Sequence, residues 1–303
     1  MQVSLRLVKR RCCCAALPLL LFAWSGLAAA DPSRIDHSEK IGIGTWPVGS
    51  GEQMLSDVED LGAGWFYTWQ PASTTGSPTF VPMIWGAADA ERLHEHDLDD
   101  ATILLTFNEP DLTDQANLPV EEVLRFWPGL MDTGARLGSP ATTKPGTLGS
   151  GSWLARFMAE AEKRSYRIDF VAVHYYSDQA DVCRFRDFLI AVHQAYDRPV
   201  WVTEWALADW QNPGRFNANE QSAFLASAAH MMDDLPFVER HAWFGAYEGL
   251  GNVYQNSGLL SDAGPTAVGR AFRSLTRGDS ESRETVSGEM GCGIGAPASR
   301  KAN

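Results

Sequence analysis

Two glutamates in this chain sit where carboxylates do chemistry. Ile103-Leu104-Leu105-Thr106-Phe107 is a short apolar run that stops at Asn108-Glu109-Pro110. Pro110 has no amide proton to continue a ladder, so the run reads as a buried strand carrying Glu109 at its C-terminal end. Pro199-Val200-Trp201-Val202-Thr203 has the same design and ends on Glu204. Two carboxylates at one face can divide the work that breaking a glycosidic bond requires. One protonates the leaving oxygen, and the other attacks or stabilises the electron-poor carbon. A single strand-end glutamate is as readily a helix cap or an arginine partner; two of them, each beside an aromatic, favour catalysis. Glu109, as the acid, has to hold its proton, which poor solvation or the neighbouring charge of Glu204 would favour, whereas Glu204 has to stay ionised.

Other residues qualify as their companions. His174 and Tyr175 close an apolar run next to that of Glu204, and either can donate a hydrogen bond that keeps Glu204 ionised; a satisfied wall histidine is the equal alternative. Trp46, Trp65, Tyr67, Trp69, Trp85, Trp205, Trp243 and Tyr247 lie at or near the ends of apolar runs. Sugars present C–H faces to such rings, while strand alternation should turn about half of them into the wall. Trp69, Trp85 and Trp243 stand nearest the C-terminal ends and are expected in a substrate cleft. Glu248 is a third carboxylate, expected to order a loop or bind sugar hydroxyls. Metal and acyl-transfer chemistries are not signalled: His94-Glu95-His96 lacks the spacing of a zinc helix, and neither a Gly-x-Ser-x-Gly elbow nor a phosphate loop occurs. Hydrolysis by two carboxylates needs no cofactor.

The ordered set Asn108-Glu109-Pro110, Val173-His174-Tyr175-Tyr176, Thr203-Glu204-Trp205 and Ala242-Trp243-Phe244 resembles the catalytic domain of glycoside hydrolase family 128. The resemblance runs from roughly Ile41 to Leu275. It implies a secreted endo-β-1,3-glucanase that works with retention, Glu109 as acid/base and Glu204 as nucleophile. Asn108 then resembles the residue that hydrogen-bonds the sugar 2-hydroxyl in related enzymes. Two further readings stay open: a retaining enzyme acting on mannan, xylan or β-1,4-glucan, and a cell-surface carbohydrate-binding protein without turnover.

These residues need a scaffold that turns several strand ends to one side. Apolar strands are expected at Ile41–Trp46, Trp65–Trp69, Phe80–Trp85, Ala101–Phe107, Leu137–Ala141, Ile168–His174, Pro199–Glu204 and His241–Gly245. Helical spacing lies between them at Glu52–Leu61, Asp89–His96, Val120–Leu137, Trp153–Lys163, Val182–Tyr196 and Asn219–Met232, with Thr266–Leu275 closing the series. Strands this apolar belong in a parallel sheet covered on both faces, so the expectation is an α/β fold, a single-domain (β/α)8 barrel. Spacing agrees: 95 residues separate Glu109 from Glu204, about 32 for each of three units, against ~31 in a typical barrel.

Of the 303 residues, 1–30 read as an export signal, with Arg6, Lys9, Arg10 and Arg11 ahead of an apolar stretch and Ala28-Ala29-Ala30 before Asp31. The apolar stretch is shorter than the ~20 residues of a spanning helix, so cleavage and secretion are expected. The catalytic domain would occupy 31–276, and 277–303, rich in Gly, Ser, Ala and charge, reads as a disordered tail. Losing four basic residues moves the formal charge from −13 to −17, which repels nucleic acid and anionic lipid but not a neutral polysaccharide. A monomer is expected. Cys183 and Cys292 alone survive cleavage, and the tail composition around Cys292 argues against their pairing.

Overall fold

The computed structural model describes residues 37–49, 51–71, 78–250, 255–278 and 292, all within one compact unit that begins at Ile35. The expected export signal lies outside the described residues, as does the tail except for its start and Cys292.

The chain alternates strand and helix. Strands β1 (Ile41–Gly44), β2 (Trp65–Tyr67), β3 (Thr79–Phe80), β4 (Met83–Ile84), β5 (Ile103–Asn108), β6 (Arg136–Ala141), β7 (Val171–Ser177), β8 (Val200–Leu207) and β9 (Val238–Phe244) precede a small hairpin of β10 (Leu260–Ser261) and β11 (Gly264–Pro265). Helix α1 (His37–Lys40) leads in. It is followed by α2 (Glu52–Leu61), α3 (Ala87–Glu91), α4 (Val120–Asp132), α5 (Lys144–Thr147), α6 (Trp153–Lys163), α7 (Val182–Tyr196), α8 (Ala218–Asp233) and α9 (Ala267–Arg277).

Every strand pair outside the hairpin is parallel. The hydrogen-bonded strands make a six-stranded sheet, β3-β2-β1-β9-β8-β7, and a three-stranded sheet, β4-β5-β6, rather than one continuous ring. Isolated parallel bridges, Gly138 to Phe170 and Thr142 to Val173, link β6 to β7. The third expected strand is split into β3 and β4 around Val81-Pro82, because Pro82 has no N–H to give a ladder. Its carbonyl still accepts from Leu105 at 3.0 Å.

Two apolar clusters follow from the strand period. The larger packs strand residues such as Val173, Val202 and Trp205 against helix residues such as Phe185, Leu189 and Phe224. The smaller holds Trp65, Tyr67, Met83, Leu105, Ala141, Ala172, Trp201 and Ala242 from strands, with Val81 and Phe170 from just outside them. All eight side chains of β8 are buried. Each fully buried Val or Leu is worth about 1.5–3 kcal/mol, so this strand is fixed firmly beneath its glutamate.

Several boundaries moved from expectation. The long helix expected at Val120–Leu137 stops at Asp132, where Gly134 takes φ 76°. The sixth strand runs three residues later than apolarity placed it, at 171–177, the eighth begins three residues earlier, at 238–244, and the seventh, expected to end on Glu204, continues to Leu207. Cys183 and Cys292, expected to stay apart, form a disulfide with Cα atoms 5.6 Å apart. The Arg186 guanidinium also donates to the Cys292 carbonyl at 3.2 Å, so this point of the tail is bound to the start of α7.

Candidate active site

Glu204 lies inside β8, paired in register with His174 of β7, and only 6 % exposed. Register breaks beside both residues, between Val173 and His174 and between Val202 and Trp205, turn their side chains to the same face. Four groups meet the Glu204 carboxylate. The Trp69 indole N–H donates to Oε1 at 2.8 Å, and the Tyr176 hydroxyl donates to Oε2 at 2.6 Å. Tyr67, whose hydroxyl donates to the Thr203 carbonyl at 2.8 Å, stands 3.4 Å from Oε1. His174 Nδ1 is 3.4 Å from Oε2. Trp69 holds a left-handed backbone at φ 57° and packs on Trp46 and Tyr67, with ring centroids 4.9 Å away in each case. Gly245 makes room for this stack, since a Cβ there would come within 2.7 Å of the Trp46 ring.

Glu109 is held differently. It follows the last residue of β5 on a turn with φ 41°, a conformation costing a non-glycine residue about 1–3 kcal/mol. Its N–H donates to the Ala141 carbonyl at 2.7 Å and its carbonyl accepts from Leu112 at 3.0 Å. Among the described residues one side chain touches its carboxylate: His174 Nδ1, 2.8 Å from Oε1. Asn108 donates from Nδ2 to Gln115 at 3.2 Å, while its buried Oδ1 has no partner among the described residues.

The electrostatics centre on His174. Burial pulls its imidazole down, but the charge of Glu204, with the hydrogen bond and charge of Glu109, outweighs that and raises it above its ordinary value. His174 Nδ1 thus stands between the two carboxylates, 2.8 Å from Glu109 Oε1 and 3.4 Å from Glu204 Oε2. Burial pushes the Glu204 carboxyl up, against the pull of His174 and the donors Tyr176 and Trp69, so its charge is kept at a cost rather than simply favoured. Burial and the charge of Glu204 drive the hydroxyls of Tyr67 and Tyr176 well above their usual range, which keeps both as donors.

Among the described residues, Glu109, His174 and Glu204 form the one group whose donor atoms, all within 4.8 Å, have the spacing to hold a cation. Both oxygens of Glu204 already accept from N–H and O–H donors, an arrangement suited to a reacting carboxylate more than to a ligand.

A cleft of about 930 Å³ opens over the pair. It is lined by six of the eight residues expected there: Glu109, Glu204, Asn108, Trp69, Trp85 and His174. Two expectations fail. Tyr175 is 2 % exposed and stacks on Phe185 at 3.9 Å, pointing toward the helices. Trp243 is fully buried, donates to the Ser257 carbonyl at 2.8 Å and meets Trp205 edge-on. In each case the next residue, Tyr176 or Phe244, faces the cleft. Period-2 alternation from His174 points to Tyr176, a signal present in the sequence. Trp46 and Trp210 also line the cleft, and Trp210, 55 % exposed, meets Tyr176 edge-on at 5.1 Å. Glu248 does not reach the cleft; its backbone N–H bonds the Leu260 carbonyl.

Comparison with known proteins gives these features a setting. Residues 45–272 match the family model described as "Glycosyl hydrolase catalytic core". A subgroup I endo-β-1,3-glucanase of glycoside hydrolase family 128 from Amycolatopsis mediterranei, crystallised as a glutamate-to-glutamine mutant with laminarihexaose, is 37% identical. The alignment covers 78% of this chain and 99% of that one, with a TM-score of 0.68. A subgroup III curdlan-specific exo-β-1,3-glucanase of the same family from Blastomyces gilchristii, in complex with glucose, is 26% identical over 78% of this chain and 97% of its own, with a TM-score of 0.61. Alkali-sensitive linkage protein 1 of Schizosaccharomyces pombe is 29% identical over 230 residues, 72% of this chain. This chain spans only 41% of the length of that relative.

Proposed function

Because the chain belongs to glycoside hydrolase family 128, we propose that it is an exported endo-β-1,3-glucanase that works with retention. The observation that carries the proposal is the pair of buried carboxylates, Glu109 and Glu204, with oxygens within 4.8 Å of each other across His174. Carboxyl groups about 5–5.5 Å apart fit a covalent intermediate, whereas room for an inverting water needs about 6.5–9.5 Å.

In the first step Glu204 attacks the anomeric carbon while Glu109 gives its proton to the leaving glycosidic oxygen. Desolvation makes Glu204 a less stabilised and more reactive anion, and its donors fix the attacking direction. Esterification removes the Glu204 charge, leaving His174 paired with Glu109 alone. Glu109, now ionised, takes a proton from water, and the hydroxide cleaves the ester with net retention. Asn108 offers its unpartnered Oδ1 to a sugar hydroxyl, while Trp46, Trp69, Trp85 and Trp210 give the cleft faces on which sugar rings stack.

Endo action is proposed on the greater identity to the endo-acting neighbour. Export is proposed on the N-terminal pattern and on the Cys183–Cys292 bond, which suits an oxidising compartment. The scaffold is proposed to be a closed (β/α)8 barrel. Its support is the strand order: the β6–β7 bridges join the two sheets on one side, and β3 and β4 are halves of one interrupted strand on the other.

Sugar release measured on laminarin, curdlan, xylan and mannan, with product sizes and anomeric configuration followed by NMR, tests the reading. Mixed β-1,3-oligosaccharides of initial β configuration are expected. Release from xylan or mannan alone would move the substrate, inversion would overturn the mechanism, and binding without turnover would make this a carbohydrate-binding protein.

A further inference from the structure

Two residues beyond Glu109 stands a carboxylate that the proposed chemistry does not use. Asp111 reaches across to the loop after β6: its Oδ1 accepts from the Thr143 N–H at 3.2 Å, and its Oδ2 accepts from the Thr143 hydroxyl. Thr143 in turn caps α5, its hydroxyl oxygen accepting from Gly146 N–H at 3.2 Å. Gly146 lies flat against Asp111, since an added Cβ would stand 2.8 Å from Asp111 Cγ and nearer still to Oδ2. Thr143, Lys144 and Pro145 line the same cleft as Glu109, just after the Ala141 carbonyl that accepts from its N–H, so this contact ties that stretch of wall to the turn that carries the acid.

The link between Asp111 and Glu109 is short and stiff. Pro110 between them has a ring-fixed φ, so few soft torsions separate the two residues. Glu109 needs such an anchor. Its φ of 41° is disfavoured for a residue with a Cβ, and a single side-chain contact, His174, fixes its carboxylate.

We propose that Asp111 is a positioning residue for Glu109: by clamping the Thr143–Gly146 loop it holds the strained turn so that the Glu109 carboxyl faces both His174 and the leaving oxygen. This inference rests on the reading of Glu109 as acid/base.

The test uses the full chain and two substrates, a laminari-oligosaccharide whose departure needs a proton and a dinitrophenyl β-laminaribioside whose departure does not. Asp111→Ala is expected to lower kcat on the oligosaccharide by about 10- to 100-fold, as a displacement of up to ~1 Å at a reacting group does. KM should hardly move. The dinitrophenolate burst should keep its wild-type rate. In a Glu109→Ala background the Asp111 substitution should cost nothing further, since two groups acting through one step are not additive.

Gly146→Ala pushes on Asp111 from outside the acid's own loop and should reproduce the defect. In Asp111→Ala the clash with the carboxylate is gone and Thr142 Cβ, 3.2 Å away, is the close neighbour left, so the double variant should be little worse than Asp111→Ala alone. Asp111→Asn, which keeps size and one acceptor, should fall between and serves if the alanine variant does not fold. Equal losses on both substrates, or an additive loss on top of Glu109→Ala, would overturn the positioning role. If Glu109→Ala itself failed to distinguish the two substrates, the acid/base reading would be the part that fails.

Discussion

The two carboxylates of the cleft are held by opposite means. Glu204 sits within a fully buried strand and its carboxylate is met by Trp69, Tyr176, Tyr67 and His174, so side chains fix the charge and the strand fixes the backbone. Glu109 sits past a strand end on a left-handed turn, with backbone hydrogen bonds on both sides and one side-chain contact. The first arrangement suits an atom that must attack along one line. The second suits a proton carrier, whose carboxyl meets a leaving group in one step and a water in the next while the turn beneath it is held.

The contrast is broken most sharply at its rigid end. Glu204→Gln is expected to abolish turnover on laminarin while oligosaccharide binding survives, because the amide keeps shape but cannot form the ester. Its stability should change in a pH-dependent way. The Glu204 carboxyl is raised in the fold, so ionising it costs more folded than unfolded, and that cost sets in as pH rises through the ordinary carboxylate range. The raised imidazolium of His174 adds stability that is full below its ordinary value and lost as pH rises through its folded one. Both act in one direction, so the wild type should lose stability toward alkaline pH, and the variant should gain melting temperature over it progressively from pH 4 to 9. A difference that stays constant with pH would contradict the burial account.

At the adaptable end, Glu109→Ala should lose about 10²–10⁴-fold on glucan, the usual worth of acid/base catalysis, and far less on an activated aryl glycoside. Added azide should restore turnover of the aryl substrate and yield a β-glycosyl azide, whereas Glu204→Ala with azide should yield the α-azide. The reverse pairing would exchange the two roles.

Two tryptophans sharpen the comparison of wall and cleft. Trp243→Ala should cost about 3–5 kcal/mol of stability, measured by denaturant unfolding, as large core deletions do. Trp85→Ala should instead weaken oligosaccharide binding by roughly 1–3 kcal/mol, read by calorimetry, at little cost in stability. Tyr176→Phe should lose one charge-assisted hydrogen bond, about 1.5–3 kcal/mol, from kcat, against no change in Tyr175→Phe, the smallest effect of all. Equal effects in the two tyrosine variants would mean that the Glu204 contact contributes nothing.

Composition and pattern made the two glutamates legible because each ends an apolar run. The helices at 52–61, 153–163 and 182–196 were readable for the same reason, a clear amphipathic period. What stayed hidden was which of two adjacent aromatics faces the cleft. β7 and β8 are buried on both sides, so no polar alternation marks their faces, and the register breaks beside His174 and Glu204 spoil a count taken from the strand start. The short helix α5 stayed hidden as well, and Thr143, which caps it, is met by Asp111, which the chain brings in from another loop. The disulfide was missed because the composition around Cys292 reads as tail, and composition does not say where a single residue of it is held.

That bond divides the chain into a line and a ring. Glu109 lies on the line, while Glu204, Trp210 and the exposed segment 210–215 lie inside the ring closed by Cys183 and Cys292. Exposed loop tips are where proteases cut, and a single cut at 210–215 would open the ring without separating its two halves. The fragment bearing Phe244 would stay attached to the one bearing Glu204, and the molecule would run as one band until reduced. In a protease-rich surrounding the covalent ring therefore sets how many cuts the catalyst survives as one piece: one within the ring, and none on the line that carries Glu109.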